Sequence, residues 1–198
     1  MRILFISALS LLTLNSIAQK DIQKQHFVFD AGFNFTGGLN LATSNPLIPK
    51  VGYTSNIKLE HEFNSGHSIM GGVGTSLDGF ALDTRFKNVL HTYNLNFPFL
   101  FGTKYDNGNR FYIGLNPSFY LKSTYSDVLN TLAPNKCDLK LQLSYARKFN
   151  KNIGLDVTSR LGVLNTGIYD NGFSSNWDVS AKLYVRFMLK RSVSFKVQ

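Results

Sequence analysis

The chain has 198 residues, a formal charge of +9, 17% charged side chains and a single cysteine. That length holds one domain or two small ones, and 43% hydrophobic with 14% aromatic residues excludes a disordered chain. Lone Cys137 excludes an intrachain disulfide and a cysteine-based zinc site, while the basic surplus raises nucleic acid as a partner until its place along the chain is known.

The chain opens as a targeting segment. Met1-Arg2 supplies a positive start, Ile3 to Leu14 is uncharged and mostly apolar, and Ser16-Ile17-Ala18 puts small residues where a signal peptidase reads them. This predicts a cleaved secretory signal over residues 1–18, its apolar run being too short to span a bilayer. No cysteine follows, so it is not a lipoprotein signal. Residues 19–25 are expected to form a periplasmic N-terminal segment. No later apolar run is long enough for a transmembrane helix, so an exported chain that stays in a membrane must do so as a closed barrel.

From residue 26 onward the pattern has period two. Phe27, Phe29, Ala31, Phe33, Phe35, Leu39 and Leu41 alternate with Val28, Asp30, Gly32, Asn34, Thr36, Gly38 and Asn40, the signature of a strand with unlike faces. It recurs at Val51 to Phe63, Ile69 to Leu77, Tyr93 to Thr103, Phe111 to Leu121, Leu139 to Phe149, Ile153 to Val163 and Trp177 to Leu189. The odd-numbered face is apolar throughout. Of 51 odd positions only Arg147 is charged, whereas 11 of 43 even positions are charged and nine more are glycine.

Two architectures use such segregation: a lipocalin-like soluble barrel with the apolar face inside, and a membrane barrel with it outside. Volume discriminates between them. Eight strands enclose room for a filling of side chains and little else, which the bulky odd face would overfill and the glycine-rich even face suits. The predicted fold is all-β, an eight-stranded antiparallel up-and-down transmembrane β-barrel over residues 26–190. Residues 191–198 extend the last strand or form a tail.

Connection lengths predict the topology. Asn64-Ser65-Gly66-His67, Asp106-Asn107-Gly108-Asn109 and Asn150-Lys151-Asn152 are short turns, alternating with longer links at about 42–50, 78–91, 122–138 and 164–176. Short periplasmic turns and long external loops are the outer-membrane arrangement, which puts both termini in the periplasm. Tyr53, Phe63, Tyr93, Tyr105, Phe111, Tyr145, Phe149 and Trp177 stand near strand ends, where aromatic girdles form.

Charge then falls into two groups. Asp30, Lys58, Glu60, Glu62, Lys140, Asp156, Arg160, Asp178, Lys182 and Arg186 share the even face and are expected to form a lumen ion-pair network, with Glu60 and Glu62 meeting Arg160, Lys182 or Arg186. Lys104, Arg110, Lys151, Lys190, Arg191 and Lys196 gather at the turn end as a basic collar suited to anionic phospholipid. The external links, which include Asp78 and Asp138, balance. Nucleic acid is therefore not an expected partner.

Residues that could carry chemistry are sparse. His26, His61, His67 and His91 lack metal-ligand spacing, and His91 with Thr92 and Ser76 is the one conceivable hydrolase site. Glu60 and Glu62 read as salt-bridge partners, not as an acid/base pair. Gly71-Gly72-Val73-Gly74 lacks the strand–loop–helix setting of a phosphate cradle, and Pro98 should mark a bulge or bend. No catalytic residue, cofactor or metal is expected. The function that follows is a non-enzymatic outer-membrane barrel, structural or presenting ligands and partners through four external loops; the alternative is a small pore for ions or solutes. Its partners are outer-membrane lipids and an external ligand or membrane protein.

The stretch Tyr93 to Lys122, with Pro98, Lys104, Tyr105, Phe111, Tyr112, Gly114 and Pro117, resembles the central hairpin of the Bacteroidetes outer-membrane β-barrel family, labelled porin-like or PorT-like. Ser159-Arg160-Leu161-Gly162-Val163-Leu164-Asn165 is similar to that family's penultimate strand. Two features depart from it: Pro98 and Lys104 lie further apart than usual, and Asn116 stands where glycine is common. The resemblance implies an outer-membrane location and carries over no catalytic residue.

Overall fold

The computed structural model describes residues 22–40, 48–81, 89–125, 137–163 and 174–191. They form strands β1 (Ile22–Asn40), β2 (Ile48–Phe63), β3 (His67–Ala81), β4 (Val89–Asn96), β5 (Phe99–Lys104), β6 (Arg110–Tyr125), β7 (Cys137–Lys148), β8 (Ile153–Gly162) and β9 (Ser174–Arg191). β4 and β5 are successive halves of one stave, since both lie between β3 and β6. All pairings are antiparallel, and β1 pairs with β9, so eight staves close into a barrel with no free edge.

Register fixes the bore. Paired residues followed once around the wall run from Phe27 through Leu59, Gly71, Phe99, Leu115, Leu141, Leu161 and Trp177, returning to β1 at Gly37. A stagger of ten residues over eight staves, at ~3.3 Å per residue and ~4.8 Å between strands, gives a tilt of roughly 40° and a backbone radius of about 8 Å. Such a tube holds side chains and no wide channel.

Side-chain direction follows parity. Phe33 is 69% exposed on the outer wall and Leu121 64%, while Asn34 and Glu60 are fully enclosed. A globular protein in water would not leave so continuous an apolar face uncovered; a hydrocarbon surround makes it the favourable outer surface.

The short turns form as their residues dictate. Gly66 and Gly108 both take φ +81°, a left-handed conformation that costs other residues strain. Asn150 Oδ1 accepts from the backbone N–H groups of Asn152 and Ile153, each at 2.9 Å, closing the third turn. Two expectations need correction. At Pro98 the register is unchanged on either side, so the wall carries no bulge there. Pro98 lacks an N–H and interrupts the ladder, which Phe97 N–H to the Pro117 carbonyl (2.8 Å) and Gly72 N–H to the Pro98 carbonyl (3.1 Å) bridge. The strands also run further than the alternating windows. β3 and β7 therefore take in Asp78 and Asp138, which belong to the wall and not to external links.

The charged lumen as candidate functional site

The even face of every stave points into the bore, and its charged residues sort into three clusters along the axis. In the middle, Lys58 contacts Asp30 and lies 3.7 Å from Asp156, while Lys182 lies 3.6 Å from Asp30 and 3.5 Å from Asp156. Asn56 Nδ2 donates to Asp30 and Thr158 Oγ1 to Asp156, both at 2.6 Å. Two acids thus face two bases. Glycine clears their space: a Cβ on Gly72 would lie 2.6 Å from Lys58 Cγ, and one on Gly32 would lie 2.6 Å from Lys182 Cα.

Nearer the loop end, Lys140 Nζ lies 3.2 Å from Asp78 Oδ2 and 3.3 Å from Asp178 Oδ2, and Arg160 Nε donates to Asp178 Oδ1 at 2.6 Å. Asn34 and Asn94 donate to the two oxygens of Asp78 at 2.6 and 2.8 Å. This cluster is also balanced, two against two. Asp138, buried on the same face, lies further toward the loops.

At the turn end the balance tips. Arg110 donates to Glu60 at 2.8 Å and to Glu62 at 2.6 Å. Arg186 approaches the same two carboxylates at 2.7 and 3.1 Å, Lys104 reaches Glu62 at 3.1 Å, and His26 stands 3.5 Å from it. Tyr112 Oη donates to Glu60 at 3.0 Å. Three permanent cations share two carboxylates. Buried ions of this kind persist because each has a partner; removing one strands the other in a low-dielectric site.

The ten network residues named from the sequence therefore all lie inside the bore, and of the three bases expected opposite Glu60 and Glu62 one, Arg186, meets them. Glu60 and Glu62 meet Arg186 and not Arg160 or Lys182, which serve Asp178 and the Asp30–Asp156 pair instead. Arg110, assigned to the collar, is 4% exposed and turned into the lumen. Lys104, half-exposed at the rim, also binds a lumen carboxylate. Lys151 is exposed in the last short turn. Lys190 and Arg191 end β9 opposite Gln25 and Lys24, and Lys196 lies outside the described residues. Arg110, Asp78 and Asp138 were missed as lumen residues although each is even-numbered. Extending the parity beyond the apolar windows would have found them.

Between the middle and turn-side clusters a cavity of ≈ 20 Å³ remains, space for about one water. The conceivable hydrolase site does not assemble. Thr92 and Ser76 are buried in the lumen, whereas His91 has the opposite parity, on the outer side of the wall. Ser76 Oγ accepts from Asn96 Nδ2 at 3.1 Å.

A closed eight-stranded antiparallel barrel, apolar without and charged within, has the fold of the outer-membrane β-barrel proteins. Neisserial surface protein A is similar in structure, with a TM-score of 0.55 at 12% identity over 81% of this chain and 97% of that one. Ail, the attachment invasion locus protein of Yersinia pestis, solved in complex with the heparin analogue sucrose octasulfate, gives 0.54 at 14% identity over 83% and 99%. Likeness at these identities is likeness of fold. No family model and no curated protein matches the sequence.

Proposed function

We propose that this protein is a non-enzymatic outer-membrane barrel, a rigid wall that presents four external loops to a ligand or membrane-protein partner. The observation that carries the reading is the filled lumen. Two neutral ion-pair clusters and a third, basic one fill the bore of a barrel of about 8 Å backbone radius, and the space between the middle and turn-side clusters is ≈ 20 Å³. A solute pore would need those buried pairs to part, at several kcal/mol per stranded ion. In this reading residues 1–18 are a cleaved signal, both termini are periplasmic, and the chain is a relative of the Bacteroidetes porin-like barrels. Exposed Lys151, with Lys190 and Arg191 at the end of β9, lies toward inner-leaflet phospholipid.

Planar-bilayer recording tests it. Protein that migrates as a folded band when unboiled should give no stepwise conductance. Discrete current steps from that band would replace the scaffold with a pore. Replacing the four long links by short turns should leave insertion and the folded band intact while abolishing capture of any external ligand.

A further inference from the structure

The turn-side mouth holds more positive charge than its own acids can balance. A cavity of ≈ 90 Å³ opens there, and Glu62 is the one carboxylate among the described residues that line it. Both its oxygens are engaged, Oε1 by Lys104 and Oε2 by Arg110 and Arg186. Glu60, deeper in, is shared by the same two arginines. Lys24, Lys148 and Lys151 also line it, so six cations face two carboxylates. Such an excess inside a low-dielectric wall focuses a strong positive potential on the cavity.

Two further observations give the mouth the form of a site. Arg186 Nε is buried and has no hydrogen-bond partner among the described residues, leaving a guanidinium donor unused. Lys148 is held in place from the neighbouring turn: its backbone N–H donates to Asn109 Oδ1 at 3.0 Å. Gly108 keeps that space open, since a Cβ there would lie 3.0 Å from Lys148 Cδ. A tetrahedral oxyanion, about the bulk of two waters at roughly 30 Å³ each, fits the opening. Its oxygens suit guanidinium and ammonium donors.

We propose that the turn-side mouth binds a phosphate-type oxyanion, carried by free phosphate or by a phospholipid headgroup at the rim of the wall. The inference goes beyond the scaffold reading and does not depend on what the external loops bind.

The test uses the full-length folded barrel in phosphate-free nonionic detergent. Inorganic phosphate is titrated in while the backbone amides of Gly108 and Lys148 are followed by NMR. Saturable shifts confined to the turn end are expected. The pair Lys148→Gln with Lys151→Gln should weaken them about tenfold or more, whereas Arg147→Gln, which removes a positive charge from the outer wall, should not. The source is separated in nanodiscs. A headgroup ligand makes phosphatidylglycerol discs suppress the phosphate response that phosphatidylcholine discs preserve; a free-phosphate ligand leaves it in both. No saturable shift in detergent together with no difference between the lipids overturns the proposal, as does equal weakening by Arg147→Gln. A missing folded band would instead count against the barrel itself, so the two failures are distinguishable.

Discussion

Lys140 is the most consequential single lumen residue to remove. It is fully enclosed and is the only cation described within 4 Å of Asp78, while it shares Asp178 with Arg160. Lys140→Met keeps the bulk and deletes the charge. Asp178 retains Arg160, but Asp78 is left with neutral partners only, the amides of Asn34 and Asn94 and the hydroxyl of Ser76. Stranding a buried carboxylate in this way costs roughly 3–5 kcal/mol. With a urea slope of about 2 kcal/mol per molar, the unfolding midpoint in lipid vesicles should fall by about 2 M. The double variant Lys140→Met with Asp78→Asn removes the stranded charge and should recover more than half of the loss, because a neutral amide in that cage keeps its hydrogen-bonding capacity. Urea titration read by tryptophan fluorescence and by the folded gel band measures both variants. A single variant within 1 kcal/mol of the parent would mean that lumen water solvates Asp78 and that the pair is not buried in the energetic sense. A double variant no better than the single would refute the stranded-charge reasoning.

Three smaller perturbations probe other parts of the wall. Gly72→Ala places a Cβ 2.8 Å from Lys58 Cα, so overpacking should cost about 1–3 kcal/mol and shrink the folded fraction on unboiled gels. At Gly66 the nearest atom to an added Cβ is 3.9 Å away, so Gly66→Ala isolates the φ +81° strain and should cost about 1–2 kcal/mol in urea unfolding, with Gly66→Asn clearly milder. Arg147 is exposed near the end of β7; Arg147→Leu should change stability by less than about 1 kcal/mol, and a gain above 2 would place it nearer the hydrocarbon midplane.

Parity makes most of this molecule legible in its sequence. Because side chains alternate across a strand, Phe33 out and Asn34 in follows from numbering alone, and so does the interior place of Lys58, Glu60 and Lys182. Parity is silent about height. Which even residues meet across the bore depends on the ten-residue stagger, a property of the closed sheet that no single strand carries. That is why Glu60 lies beside Arg110 and Arg186 while Arg160 sits with Asp178. Strand ends were the other weak point. Apolar residues thin out toward the loops, so Asp78 and Asp138 looked like loop acids although the ladder runs through them. Pro98 shows the converse: local chemistry reported a missing donor correctly, but the neighbouring staves held the register across it.

The ladder joining β1 to β9, from Lys24–Arg191 to Asn40–Ser174, stitches the first strand to the last. The seam that seals this protein therefore cannot begin until the final stave has been made. Until then Phe27, Phe29 and Phe33 belong to a sheet with two unpaired margins, open to any passing strand. Chains truncated before β9 have no smaller closed form to fall back on. Maturation is thus all-or-none at the level of the whole polypeptide, and whatever receives the chain has to shield both margins from aggregation for the full length of its delivery.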